Sequence, residues 1–156
     1  MAKFKHWIYI ISIIIVVLVV DLITKHFLFH VSYYNLIPNV LSISTNGGNS
    51  GAAWGIFSGK KLFLIILSSA LIIVLFVFNH FVKKKNVFYC IGFGFIIGGA
   101  LGNLIDRIAF SYVRDFIFLD FWPTFPIFNM ADSFLCVGAV MLAIFILFMS
   151  GEKKSN

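Results

Sequence analysis

The sequence has little charge and few of the residues that cover the surface of a soluble domain. Of its 156 residues only 12% are Asp, Glu, Lys or Arg, and only six are acidic. Hydrophobic residues make up 61%, and the mean hydropathy is +1.03. A soluble domain is therefore excluded, and an integral membrane protein with one membrane-embedded domain over residues 1–156 is predicted.

Metal and disulfide signatures are also missing. Cys90 and Cys136 lie inside apolar runs without a CxxC neighbour, and the four histidines form no HExxH motif. Both cysteines are interpreted as packing residues, and a zinc site or metalloprotease is not supported. We expect no metal, no cofactor and, because the basic residues cluster at the ends of apolar runs, no nucleic-acid partner.

Four apolar runs have the length of about 20 residues that a membrane helix needs. The predicted spans are 7–28, 62–82, 87–105 and 131–149. The first begins like a signal peptide, but no A-x-A site follows, so we expect an uncleaved span. In the third, Gly94, Gly98 and Gly102 recur every four residues, which predicts a face for close helix packing.

Two segments, 29–61 and 106–130, have no apolar run of spanning length. Residues 40–45 alternate apolar and polar side chains, which predicts a strand with Leu41 and Ile43 on one face. The predicted fold class is an all-α integral membrane protein with four transmembrane helices, a small extracytoplasmic β-sheet and a surface loop or helix. Trp54 and Trp122 are expected to anchor at the membrane interface.

The basic clusters predict the orientation. With four spans both termini lie on one side, and the positive-inside rule makes that side the cytoplasm. The basic residues on that side are Lys3, Lys5, Lys83, Lys84, Lys85, Lys153 and Lys154. Lys60 and Lys61 oppose the rule weakly. Both outer segments then face outward.

Charges near spans are costly and often functional. Asp21 and Lys25 are four residues apart and can pair on one helix face. Asp115 and Asp132 follow the third span and begin the fourth, so they can meet. Two close carboxylates share a proton, which is how an aspartic protease dyad works.

Simpler interpretations exist for each charge in this region. Asp132 has the residue type and position of a helix cap, and Asp106 and Arg107 are placed to form an ion pair at a helix end. Spacing alone does not select Asp115 and Asp132 over Asp106 or Asp120.

The sequence resembles the bacterial prolipoprotein signal peptidases (signal peptidase II) over nearly its whole length. Five motifs occur in the family's order: DLITK (21–25), NSGAAWG (49–55), GGALGNLIDR (98–107), VRDFI (113–117) and FNMAD (128–132). Ser111 stands where the family often has glycine, and residues 46–48 match no family segment.

The resemblance implies an aspartic endopeptidase that removes the signal peptide from diacylglyceryl-modified prolipoproteins, cutting just before the lipidated cysteine. It implies Asp115 and Asp132 as the catalytic dyad and leaves the role of Asp21 and Lys25 open. The supporting residues that it implies are Asn49, Gly51, Asn103, Arg107, Asn129 and Ala131. Expected partners are lipidated prolipoproteins, membrane phospholipid and the inhibitor globomycin, for a monomer in the bacterial cytoplasmic membrane.

Two other functions compete with this one. A serine intramembrane protease would use Ser50, which lies in a G-x-S-G pattern, with His26 or His30 as its base. A small transporter or channel subunit would line a path with Asp21 and other charges at mid-membrane depth.

Overall fold

Four long helices form the structure. The computed structural model describes residues 2–45, 48–51, 56–83 and 85–149. Within them the helices are α1 (Ala2–Leu28), α2 (Lys61–Phe81), α3 (Val87–Phe110) and α4 (Met130–Ile144), which a π-helical turn extends over Phe145–Met149. Each is long and apolar enough to cross a membrane. The predicted membrane fold class is confirmed.

Two helix boundaries differ from the predicted spans. α1 begins at Ala2 rather than at residue 7, and α3 ends at Phe110 rather than at residue 105. Asp106 and Arg107 therefore belong to α3 and not to the outer segment. The helix continues through Asp106 because the carboxylate is neutralised by Arg114 and Lys25 and so needs no water.

α3 is the central helix of the bundle. Two thirds of its most apolar window is buried, against at most 22% for the other three helices. Tyr89, Phe93 and Ile97 are completely buried. The other helices pack against α3 and expose apolar residues outward, as expected where the surroundings are lipid.

The glycines of α3 allow this close packing. A methyl group at Gly94 would lie 2.6 Å from Ile13, and one at Gly98 would lie 2.7 Å from Val17, both on α1. Gly102 of α3 faces Asp21, which also lies on α1. The predicted packing face is confirmed, and α1 is its partner.

A three-stranded antiparallel sheet joins the two outer segments at one end of the bundle. Its strands, in spatial order, are β1 (Tyr33–Ile37), β2 (Leu41–Ser44) and β3 (Ile117–Leu119). β2 confirms the predicted strand, and Ile43 is buried as expected. Ser42, predicted to face the other way, is also completely buried because its hydroxyl binds Asp120 at 2.7 Å.

Some expectations concern residues outside the described ranges. They include the anchoring of Trp54 and most of the unmatched segment 46–48. Trp122, in the turn after β3, is half exposed.

Gly99 provides a test of close packing between α3 and α4. A methyl group there would lie 2.5 Å from the backbone oxygen of Ala131, which cannot move without shifting α4. Gly99→Ala should therefore cost about 1–3 kcal/mol of stability, measured as a lower thermal unfolding midpoint in detergent. Ala109→Val, on the exposed side of the same helix, is the control. Equal midpoints for both variants would contradict the packing explanation.

Candidate active site

The two aspartates are brought together by different elements. After α3 the backbone turns at Ser111, whose φ is 72°. Val113 then pairs with Asn49 through backbone hydrogen bonds of 2.8 and 2.9 Å, and this places Asp115 beside the bundle. Asp132 lies in the first turn of α4.

Ser111 adopts a left-handed conformation that glycine tolerates best. This left-handed helix end explains why the family often has glycine at the position of Ser111. Here the ammonium of Lys61 donates to the Ser111 hydroxyl at 2.9 Å, and the Ser111 N–H donates to the Arg107 carbonyl at 3.2 Å. These bonds stabilise a conformation that is unfavourable for serine.

Asp115 and Asp132 line one cavity of about 450 Å³. Its lining combines polar and apolar side chains. The other lining residues are Asn49, Ser68, Leu71, Ala100, Asn103, Arg107, Val113, Phe125, Pro126, Ile127, Phe128, Leu135 and Cys136. Such a cavity suits a ligand with a polar group to be positioned and an apolar body.

Cys136 was predicted to pack inside the bundle, and this prediction is wrong. Cys90 is fully buried in the core, but Cys136 is exposed. It follows Asp132 by one helical turn and therefore faces the same cavity.

Two asparagine side chains connect the aspartates. The Asn129 amide nitrogen donates to Asp115 Oδ1 at 2.6 Å and to Asn103 Oδ1 at 3.1 Å. The Asn103 amide nitrogen donates to Asp132 Oδ1 at 2.7 Å. Each carboxylate therefore accepts a hydrogen bond from one member of this asparagine pair.

The start of α4 has a capping box. Asn129 is the N-cap, and its Oδ1 accepts from the Asp132 N–H at 3.0 Å, while Asp132 Oδ2 accepts from the Asn129 N–H at 3.3 Å. The simpler interpretation expected Asp132 itself to be the cap, but the N-cap is Asn129, and Asp132 completes the capping box from the third helical position. It also faces the cavity, so the two roles coexist.

Lys25 lies at the centre of a buried charge cluster. Its ammonium contacts Asp21 Oδ2 at 2.8 Å, Asn103 Oδ1 at 3.0 Å and Asp106 Oδ2 at 3.3 Å. The predicted pair of Asp21 and Lys25 is confirmed. Asp21 Oδ1 also accepts from the Ala131 N–H at 2.9 Å, which fixes α4 beside α1.

The predicted ion pair between Asp106 and Arg107 is wrong. Asp106 binds Arg114 instead, with a shortest contact of 2.7 Å. Arg107 donates to the Gly51 carbonyl at 3.2 Å, and its buried Nε has no hydrogen-bond partner among the described residues. Adjacent residues on a helix point in different directions, so the two side chains diverge.

The environment of Asp115 favours its neutral form. Burial and, to a smaller extent, the nearby Asp132 carboxylate raise the pKa of this carboxyl from 3.8 to about 7. Hydrogen bonds from Asn49 and Asn129 and the charge of Lys25 act in the opposite direction without cancelling the effect. A carboxyl that is half protonated near neutral pH is suited to general acid catalysis.

Comparison with known proteins agrees with this geometry. The family model described as signal peptidase (SPase) II matches residues 13–148. A lipoprotein signal peptidase of Staphylococcus haemolyticus is 39% identical over 158 aligned positions, covering 97% of this chain and 99% of the relative. One from Bacillus velezensis is 43% identical over 124 positions, covering 78% and 79%. A solved bacterial membrane enzyme is 35% identical with a TM-score of 0.84, covering 94% of this chain and 92% of that chain.

The chain belongs to the signal peptidase II family. It is a membrane peptidase of the aspartic type that removes signal peptides from prolipoproteins in the cell membrane. The competing functions are not favoured. In the described residues the Ser50 hydroxyl contacts Ser58 at 2.7 Å and no histidine, and the charges gather at one end of the bundle.

Sequence reasoning missed two parts of the peptidase's site. Arg114 was not singled out, although an arginine next to a candidate aspartate beside a span is a signal for a buried ion pair. The contribution of α2, through Ser68 and Leu71, has no sequence signal because both are ordinary residues of an apolar run.

The raised pKa of Asp115 predicts that this residue destabilises the enzyme at high pH. As pH rises from 3.8 to about 7 the unfolded chain releases this proton but the folded chain keeps it, so stability falls through that window. Asp115→Asn should therefore raise the free energy of unfolding at pH 8 by on the order of 1–3 kcal/mol and have little effect at pH 4. The measurement is the thermal unfolding midpoint at each pH. An equal gain at both pH values would contradict this origin.

Proposed function

We propose that Asp115 and Asp132 are the catalytic dyad of the peptidase. The ionised Asp132 takes a proton from water as the water oxygen attacks the scissile carbonyl carbon. The protonated Asp115 hydrogen-bonds the carbonyl oxygen. When the tetrahedral intermediate collapses, the C–N bond breaks and a carboxyl proton passes to the leaving nitrogen. The observation that carries the proposal is that both aspartates line one cavity and accept hydrogen bonds from two linked side-chain amides, those of Asn103 and Asn129.

The roles follow from the surroundings of each aspartate. Asp132 accepts hydrogen bonds from the Asn103 amide and the Asn129 backbone. Its burial opposes ionisation, whereas these hydrogen bonds favour the ionised carboxylate. Asp115 is only 6% exposed and has a pKa of about 7, to which the Asp132 charge contributes. We therefore assign the single proton of the dyad near neutral pH to Asp115.

The cavity suits a substrate that is part peptide and part lipid. Arg107 and Asn49 supply polar groups to its lining, and we propose that the Arg107 guanidinium binds a substrate carbonyl there. Leu71 and Leu135 supply apolar groups. We propose that the diacylglyceryl-modified cysteine lies here and that the chain is cut just before it.

The remaining supporting residues hold the dyad in place. Asn103 and Asn129 orient the two carboxylates, and Ala131 fixes the start of α4 through Asp21. The clusters of basic residues support cytoplasmic termini and a site at the outer membrane face. There a monomer over residues 1–156 would meet phospholipid and bind globomycin in the substrate's place.

Replacing either aspartate by asparagine should abolish cleavage. Asp115→Asn and Asp132→Asn each remove a proton-transferring group, so activity should fall by about 10³-fold or more. The measurement is the mass of products from a lipidated precursor incubated with purified enzyme in detergent. Non-lipidated precursor should not be cut.

Asp120→Asn is the matched control. Asp120 lies in the same outer segment but bonds Ser42 in the sheet, so this variant should keep full activity, as should Ser50→Ala. Normal turnover by a folded Asp115→Asn or Asp132→Asn enzyme would refute the dyad. If Ser50→Ala were inactive while both aspartate variants remained active, the result would favour the serine protease mechanism.

The pH profile tests the assignment of the acid. Asp115 must be protonated to act, and its pKa is about 7. We therefore expect kcat/KM for lipidated precursor to fall about tenfold per pH unit above about pH 7. A profile that is flat from pH 6 to pH 9 would contradict this role for Asp115.

A further inference from the structure

Lys25 is a buried cation that the proposed cleavage steps do not use. Its side chain is completely inaccessible, so it cannot touch the substrate. Its three N–H groups point to Asp21, Asp106 and Asn103. The first two contacts neutralise its charge, but the third reaches the amide that binds Asp132.

The contact with Asn103 fixes the direction of an amide. A side-chain amide has one accepting and one donating end, and these have nearly the same shape. An ammonium group only donates, so the end of Asn103 that faces Lys25 must be Oδ1. The donating Nδ2 is then left to face Asp132, at 2.7 Å.

The direction of the Asn129 amide is fixed by a different contact. Its Oδ1 accepts from the Asp132 N–H in the capping box, so its Nδ2 must face Asp115 and Asn103. The direction of Asn129 therefore survives without Lys25. The same Nδ2 also donates to Asn103 Oδ1 at 3.1 Å, so the direction of the Asn103 amide is held jointly by Asn129 and by the Lys25 ammonium.

We propose that Lys25 is a positioning residue that holds the Asn103 amide with its N–H toward Asp132, so that Asp132 is the ionised member of the dyad. This inference depends on the proposed roles of Asp115 and Asp132. Without Lys25, only the 3.1 Å contact from Asn129 opposes rotation of the Asn103 amide, and the rotated amide would present its oxygen to Asp132. That arrangement favours a protonated Asp132, which cannot take a proton from water.

Lys25 also acts through its charge. The charged groups around it are Asp21 on α1, Asp106 and Arg107 on α3, Arg114 and Asp115 in the segment after α3, and Asp132 on α4. Removing the cation makes ionised carboxylates in this group less stable. It should therefore raise the pKa of Asp115 and move the pH profile to higher pH.

Two variants separate orientation from charge. Lys25→Met removes both, because methionine neither donates nor carries charge. Asp21→Asn combined with Lys25→Met removes one positive and one negative charge, so the summed charge of the cluster is unchanged while Asn103 still lacks the ammonium donor. A neutral pair in place of a buried ion pair is often tolerated by the fold.

The experiment measures kcat and KM for a lipidated precursor between pH 5 and pH 9, with the whole enzyme in detergent. For Lys25→Met we expect kcat to fall about 10²-fold, with KM unchanged and the profile shifted to higher pH. For the double variant we expect the same low kcat with the profile near its original position. Lys60→Met, at the exposed start of α2, is the matched control and should behave as the unmodified enzyme.

Several results would overturn the inference. They are an unchanged kcat and pH profile in Lys25→Met, a full recovery of kcat in the double variant, or a rise in KM with kcat unchanged. If Lys25→Met does not fold, the double variant decides alone, since normal kcat overturns the inference and low kcat with normal KM supports it.

Parallel assays of Asp115→Asn and Asp132→Asn distinguish this failure from failure of the dyad. If those two variants are inactive while Lys25→Met has normal activity, the dyad is supported and only the proposed role of Lys25 is refuted. If they are active, the dyad itself is wrong.

Discussion

Water cannot solvate a charge inside a helical bundle whose outer surface faces lipid, so each buried charge must be neutralised by a neighbour. Asp21 and Lys25 are both completely buried, as is Asp106. Lys25 neutralises two carboxylates on different helices, and Arg114 supplies the remaining positive charge. The position of α1 relative to α3 is therefore fixed by charge as well as by packing.

The same neutrality supports a single proton on the proposed dyad. The cluster holds three cations and four carboxylates: Lys25, Arg107 and Arg114 against Asp21, Asp106, Asp115 and Asp132. Four negative charges against three positive ones leave one excess, which a single proton removes. A raised pKa for Asp115 is what this balance requires, and burial is its largest physical cause.

Features set by local spacing were predictable from the sequence. The pairing of Asp21 with Lys25 follows from four-residue spacing on a helix, and the glycine face of α3 follows from the same periodicity. The strand β2 followed from alternation. Selecting Asp115 and Asp132 among the acidic residues required family resemblance, because no local pattern distinguishes them.

Features set by packing between distant segments were not predictable. Lys25 and Asn103 are 78 positions apart, and Asp21 and Ala131 are 110 apart. Their contacts depend on how far α1 rotates against α3 and α4, which the pattern of apolar residues leaves open in a lipid-facing helix. Cys136 illustrates this limit, because an apolar run does not indicate which face of α4 borders the cavity.

The location of the charge cluster inside the bundle also explains how the two carboxylates are held in fixed positions near a membrane. The glycines of α3 bring α1 and α4 close enough for Lys25 and Asn129 to reach the same asparagine, Asn103. Low polarity then strengthens each hydrogen bond and makes wrong orientations costly. The charge cluster thus contacts the asparagine that binds Asp132, and in the proposed mechanism stability and catalysis depend on the same contacts. A substitution that relaxes the charge cluster should therefore alter proton distribution at the dyad before it unfolds the bundle, because the apolar contacts of α3 remain.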